Sequence, residues 1–183
     1  MLNKGTFVRI MLVRMVISLK FPCYTTTTLE DLITKWYKTH NFTEPTDLSV
    51  HNIGIENQIF VDCRPTQASY MKVGEFQEIV LDSRLPQIKQ RVQFFHELCH
   101  ALRHAGRQLI MPKDFYELQE RDARHFTLYA SLPYHMIKEY TLSDPEIIDL
   151  WSQDFNIPLD ICQERLEKIK RRPIVPVKRH FIT

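Results

Sequence analysis

From Ile88 to Ala105 the chain repeats its apolar residues at the period of an α-helix, and no other stretch constrains the fold so strongly. At about 100° per residue, Ile88, Val92, Phe94, Phe95, Leu98, Cys99, Ala101, Leu102 and Ala105 fill one broad arc, while Lys89, Gln93, His96, His100, Arg103 and His104 share the narrow face that remains. Such a helix must be packed against other elements on most sides, with one polar stripe open to a cleft. Pro86 before it and Gly106 after its last periodic residue are plausible start and stop signals.

The stripe carries His96-Glu97-Leu98-Cys99-His100, an HExxH pattern. Two imidazoles one helical turn apart can grip one divalent ion, and the glutamate between them can act on an activated water. The same five residues also arise by chance on an amphipathic helix, so the motif needs a third ligand to be convincing. A third histidine ten residues after the first is excluded, because position 106 is Gly and position 103, where that pattern wants Gly, is Arg. A glutamate on a following helix is the other common solution. Asp114 to Ser131 reads as that helix, with Ala123, Phe126 and Ala130 in a stripe and Glu120 one turn upstream on the same side. Two readings of Glu120 stay open on spacing alone: a metal ligand, or a solvated carboxylate like Glu117. His104 extends the stripe, but at 1.5 Å rise per residue it lies about 12 Å from His96 and cannot share an ion with both histidines.

FHELCHALRH followed by ERDARHFTLYASLP resembles the ImmA/IrrE family of zinc metallo-endopeptidases, over roughly residues 29 to 168. The resemblance implies metal ligation by His96, His100 and Glu120, Glu97 as catalytic base, and Ala123 and Phe126 as helix-packing positions. It implies Zn2+, with Mn2+ or another divalent ion as alternatives, and a protein substrate, a separately encoded helix-turn-helix repressor of the mobile-element kind. The chain departs from the pattern at Cys99, where the family has Gly, at Arg124, where Asn or Asp often follows the Ala, and at Ser131-Leu132-Pro133. Any carboxylate or amide that orients a ligand histidine must therefore come from elsewhere. A second reading, from a different class, is a non-catalytic protease-like module that binds a transcription regulator. A binding module has no use for Glu97, which favours the enzyme.

The expected fold class is α+β: a small, mainly antiparallel sheet of three or four strands beside the active-site helix, then a helical C-terminal half. The β-rich runs are Ser49–Ile55, Gln58–Asp62, Ala68–Val73 and Phe76–Leu81, broken at Gly54, Arg64-Pro65 and Gly74. Ahead of them Leu29 to His40 reads as a packing helix capped by Thr28 with Asp31. Helices are also expected over Pro133–Tyr140, Asp144–Phe155 and residues 158–171.

With 183 residues, 44% of them apolar, the chain can bury one core. The division expected is an N-terminal extension (1–24), one metallopeptidase-like domain (25–172) and a basic tail (173–183). Arg9, Arg14 and Lys20 interrupt the apolar extension, so neither a membrane span nor a signal peptide is expected. Cysteines 23, 63, 99 and 162 form no CxxC pair, which favours reduced thiols and a cytoplasmic setting. A net charge of +2 says little about partners; with no DNA-reading motif direct nucleic-acid binding is not expected, and only four glycines speak against nucleotide-cradling chemistry. His51, His125, His135 and His180 read as ordinary surface or satisfied histidines.

Overall fold

The computed structural model describes residues 24–104 and 111–172. The expected N-terminal extension up to residue 23, Ala105 and Gly106, and the basic tail with His180 lie outside the described residues. The order is α1 (Thr28–Thr39), a 3-10 turn (Pro45–Leu48), α2 (Val50–Glu56), β1 (Phe60–Arg64), β2 (Ser69–Val73), β3 (Phe76–Asp82), α3 (Gln87–Arg103), α4 (Lys113–Ser131), α5 (Tyr134–Ile137), α6 (Ile147–Phe155) and α7 (Leu159–Arg171). This is an α+β fold with a three-stranded sheet and a helical C-terminal half.

The strand order is β1-β3-β2. β2 and β3 form an antiparallel hairpin in which Val73 faces Phe76 across Gly74, whose φ of 60° suits a two-residue turn. β1 joins the other side of β3 in parallel, Val61 opposite Ile79. Strand β3 is therefore central and is buried continuously from Glu78 to Asp82, as a strand covered on both edges should be. The end of β3 is tied to the next element by a side chain: Asp82 N–H donates to Gln93 Oε1 on α3.

Several expectations need correction. Ser49–Ile55, read as a strand, is the helix α2: the Ser49 hydroxyl accepts from Asn52 N–H, and the buried residues are the adjacent pair Ile53 and Gly54 rather than alternate ones. Gly54 is forced by packing, since a Cβ there would meet Ile59 O at 3.0 Å and Val61 Cγ2 at 3.1 Å. The cap of α1 lies one residue earlier than expected. Thr27 Oγ1 accepts from Glu30 N–H while Glu30 accepts from Thr27 N–H, a reciprocal capping box. In a run of four threonines the register is chosen by Glu30, which is buried against Arg165 and Tyr24 and so has to point inward. The helices expected at Pro133–Tyr140 and Asp144–Phe155 are shorter, a single turn at Tyr134–Ile137 and Ile147–Phe155.

The core is built from α1, α3, α4, α6 and α7 with β3. Phe94, Phe95 and Leu98 from α3 meet Tyr37 of α1, Ala123, Phe126 and Ala130 of α4, and Trp151 and Phe155 of α6 in one apolar cluster. The Tyr37 hydroxyl donates to Ala130 O at 2.8 Å, tying α1 to α4. Among the described residues, the most extensive helix–helix packing is between α3 and α4.

Candidate metal centre

The α3 arc buries Arg91, Phe94, Phe95, Leu98 and Cys99, which leaves the His96 and His100 rings turned toward α4. Alanine at 123, fully buried, keeps the two helices close. Glu120 sits one turn before it and reaches across. His96 Nε2 lies 3.3 Å from Glu120 Oε2, His100 Nε2 lies 3.3 Å from Glu120 Oε1, and the two Nε2 atoms are 3.2 Å apart. The structure brings together all three residues expected from the sequence as ligands, with the Glu120 side chain 31% exposed.

The triangle has a definite size. A tetrahedral zinc with Zn–N and Zn–O distances near 2.0–2.1 Å separates its ligand atoms by roughly 3.3–3.4 Å, which is the spacing here. The donor set, two imidazole nitrogens and one carboxylate oxygen, also suits that ion. The His–Glu contacts have ion-pair distances, yet burial pushes both histidines toward the neutral form. His96 is lowered because desolvation outweighs the pull of Glu120. His100, only 7% exposed, is pushed down to about 4 by burial and by His96 and His104 beside it. Neutral rings with available lone pairs are what a cation requires.

Glu97 follows His96 on the flank of the stripe. Burial, reinforced by the charge of Glu120, pushes its carboxyl up to about 7, while an N–H from the Tyr70 backbone on β2 works in the opposite direction. Both His96 and Glu97 open onto a cleft of about 480 Å³. Gln67 and Ala68, just ahead of β2, form one wall, Arg124, Thr127 and Leu128 of α4 another, and Asp160, Ile161 and Glu164 of α7 a third. β2 is an outer strand of the sheet among the described residues.

Two of the histidines read as ordinary do lie apart from this cluster: His135 is buried with Nε2 3.2 Å from Phe42 O, and the His125 ring stacks near Tyr129. Cys99 is a core residue with its thiol pushed up to about 12, chiefly by burial. Three residues of the site's surroundings were not foreseen. Arg124 lines the cleft, and its place four residues after Glu120 on one helix face was the available signal. His104 Nδ1 lies 2.8 Å from His100 Nδ1, and His104 Nε2 lies 3.1 Å from Asp122 Oδ2. No spacing within α3 signals that pairing, because Asp122 comes from α4.

A peptidase family model described as the IrrE N-terminal-like domain matches residues 62–167, which span the sheet, α3, α4 and most of α7. "Uncharacterized protein YqaB" of Bacillus subtilis (strain 168) is 30% identical over 119 residues, 65% of this chain and 69% of that protein. "Phage-like element PBSX protein XkdA" of the same organism is 27% identical over 146 residues, 79% of this chain and 74% of that one. No solved structure matches. No helix among the described residues is long and apolar enough to cross a membrane. With the family model covering more than half of the 183 residues, the chain belongs to the IrrE N-terminal-like family of peptidases.

Proposed function

We propose that the protein is a zinc-dependent endopeptidase whose ligands are His96, His100 and Glu120 and whose general base is Glu97. The observation that carries the reading is the triangle of ligand atoms with edges of 3.2, 3.3 and 3.3 Å. Zn2+ is the ion that triangle fits, and Mn2+ would use the same donors. When bound, the ion supplies a Lewis acid that polarises the scissile carbonyl and the attacking water.

The chain's own residues do the remainder. Glu97, which lines the cleft beside His96, takes the proton of the attacking water and delivers it to the leaving amine nitrogen. The outer edge of β2 is positioned to pair with an extended substrate, whose backbone would then run past His96 and Glu97. Arg124 places a guanidinium on the facing wall, where it is available to the carbonyl oxygen as charge develops there. The narrower assignment of substrate, a separately encoded helix-turn-helix repressor, draws on the family resemblance and on the phage-like element relative.

The test is co-expression with a helix-turn-helix repressor encoded beside the gene. Wild-type protein is expected to remove full-length repressor, and Glu97→Gln to leave it intact while still holding one zinc per chain by elemental analysis. General acid–base groups contribute ~10²–10⁴-fold, so a purified Glu97→Gln variant should lose at least that much rate. Undiminished cutting by Glu97→Gln would remove Glu97 from the role. A repressor untouched by the wild type would remove the substrate assignment.

A further inference from the structure

We propose that His104 and Asp122 are positioning residues for the metal centre, forming a chain Asp122–His104–His100 that fixes which nitrogen of His100 carries its proton. The inference rests on the ligand set proposed above and adds to it two residues that do not touch the ion.

A neutral imidazole has one N–H and one lone pair. If His100 gives the lone pair of Nε2 to the ion, its proton must sit on Nδ1. That atom lies 2.8 Å from His104 Nδ1, so His100 donates and His104 accepts. His104 must then carry its own proton on Nε2, which lies 3.1 Å from Asp122 Oδ2, an acceptor. Each link in the sequence therefore has one donor and one acceptor, and only one assignment of protons satisfies all of them. With the opposite tautomers, His104 would donate from Nδ1, His100 would carry its proton on Nε2, and no lone pair would face the ion.

Asp122 is itself held in place. Arg103 donates to it through Nε at 2.8 Å to Oδ2 and through Nη2 at 3.2 Å to Oδ1. The spacing of His96, His100 and His104 at successive turns of α3 places the ring centroids 4.9 and 4.8 Å apart, with the planes inclined by 67° and 55°, and α4 contributes both Glu120 to the ligand end and Asp122 to the far end. In many metal sites a carboxylate or carbonyl accepts directly from the ligand histidine. Here a second imidazole is interposed. This answers the departure at Arg124: the orienting carboxylate stands at 122, two residues after the ligand glutamate.

Cys99, His104 and Asp122 also have ligand atoms within 4.8 Å of one another, which would suit a second ion. Arg103 already places a cation on Asp122, and His104 Nδ1 is committed to His100. The hydrogen-bond chain accounts for these contacts without a second ion.

The experiment measures zinc affinity by competition with a chromophoric chelator. Wild type should bind one zinc and His96→Ala should lose it. His104→Leu and Asp122→Ala should weaken binding by ~10–100-fold, the usual cost of removing an orienting partner. His104→Gln, whose Oε1 can accept from His100, should recover most of the loss. Melting of each variant in excess chelator separates an orienting role from a merely structural one, and metal-free melting should be little changed in His104→Gln. The histidine tautomers of the metal-free wild type, read by long-range ¹H–¹⁵N NMR, need no variant: His100 should be the Nδ1–H form and His104 the Nε2–H form. Wild-type affinity in both His104→Leu and Asp122→Ala, the reverse tautomers, or a second zinc lost in Asp122→Ala would each overturn the proposal. Zinc binding unaffected in His96→Ala would overturn the underlying ligand set instead, and a wild type that binds no zinc would overturn both.

Discussion

At the scale of single residues, the buried charges are the most informative groups. Glu30 is 1% exposed and pairs with fully buried Arg165 at 2.6 Å, while the Tyr24 hydroxyl and Thr27 N–H, each at 2.7 Å, fill its remaining acceptor sites. Burial alone would raise its pKa, but Arg165 and these donors outweigh it and hold the carboxyl below its ordinary 4.5. A depressed folded-state value means that the pair's contribution is fully present above pH 4.5 and is lost as pH falls through the folded value. Urea midpoints measured from pH 7 down to pH 3 should therefore drop steeply below about 4.5 in wild type. In Glu30→Gln they should start lower, by roughly 3–5 kcal/mol for a buried charge left unpaired, and then fall less with acid. Parallel curves for the two proteins would rule out this source of acid lability. The site residues were legible at this scale to different degrees. His96, Glu97 and His100 could be read because one helix carries all three, so a local period was enough. His104 could not, because its partner Asp122 arrives from another helix.

At the scale of elements, the pairing of α3 with α4 makes the site. Ala123 is fully buried where the helices meet, and Glu120 is placed by that approach. Replacing Ala123 with Leu forces three further heavy atoms into a close-packed seam. A loss of ~1–3 kcal/mol in urea unfolding is expected, together with weaker zinc binding, because the shift moves Glu120 off the histidine pair. Arg121→Leu, on the exposed side of the same helix, should change stability by no more than about 0.5 kcal/mol. Equal effects of the two substitutions would show that the seam does not set the position of Glu120. The elements also show where pattern reading fails. Residues 49–55 are rich in β-branched side chains, yet a serine cap and the close approach of Gly54 to Ile59 and Val61 make that stretch a helix. β-Propensity describes the fit to a half-buried sheet, and this segment packs against β1 as a helix rather than joining the sheet.

At the scale of the whole molecule, the proposed ion links two consecutive helices, α3 and α4, at the core. Anything that binds only the folded state stabilises it by mass action. At free zinc 100 times the dissociation constant the gain is about 2.7 kcal/mol. For a chain of this size that corresponds to a rise in Tm of roughly 5–10 °C. Differential scanning calorimetry with buffered zinc should show the rise in wild type, its reversal by chelator, and its absence in Glu120→Ala. An undiminished shift in Glu120→Ala would place the ion elsewhere.

The sequence alone determined the parts of this protein that depend on neighbours in the chain: the helix that carries His96, Glu97 and His100, the helix that follows it, the family, and the α+β class. A helical period is fixed by 3.6 residues per turn, so side-chain type and spacing are sufficient to place such groups on one face. The tertiary structure alone decided the parallel addition of β1 to β3, the helical state of residues 50–56, the cleft wall with Arg124, and the chain from Asp122 through His104 to His100. Those features arise from elements brought together by burial of a common core, and the contacts between them leave no periodic trace in either segment.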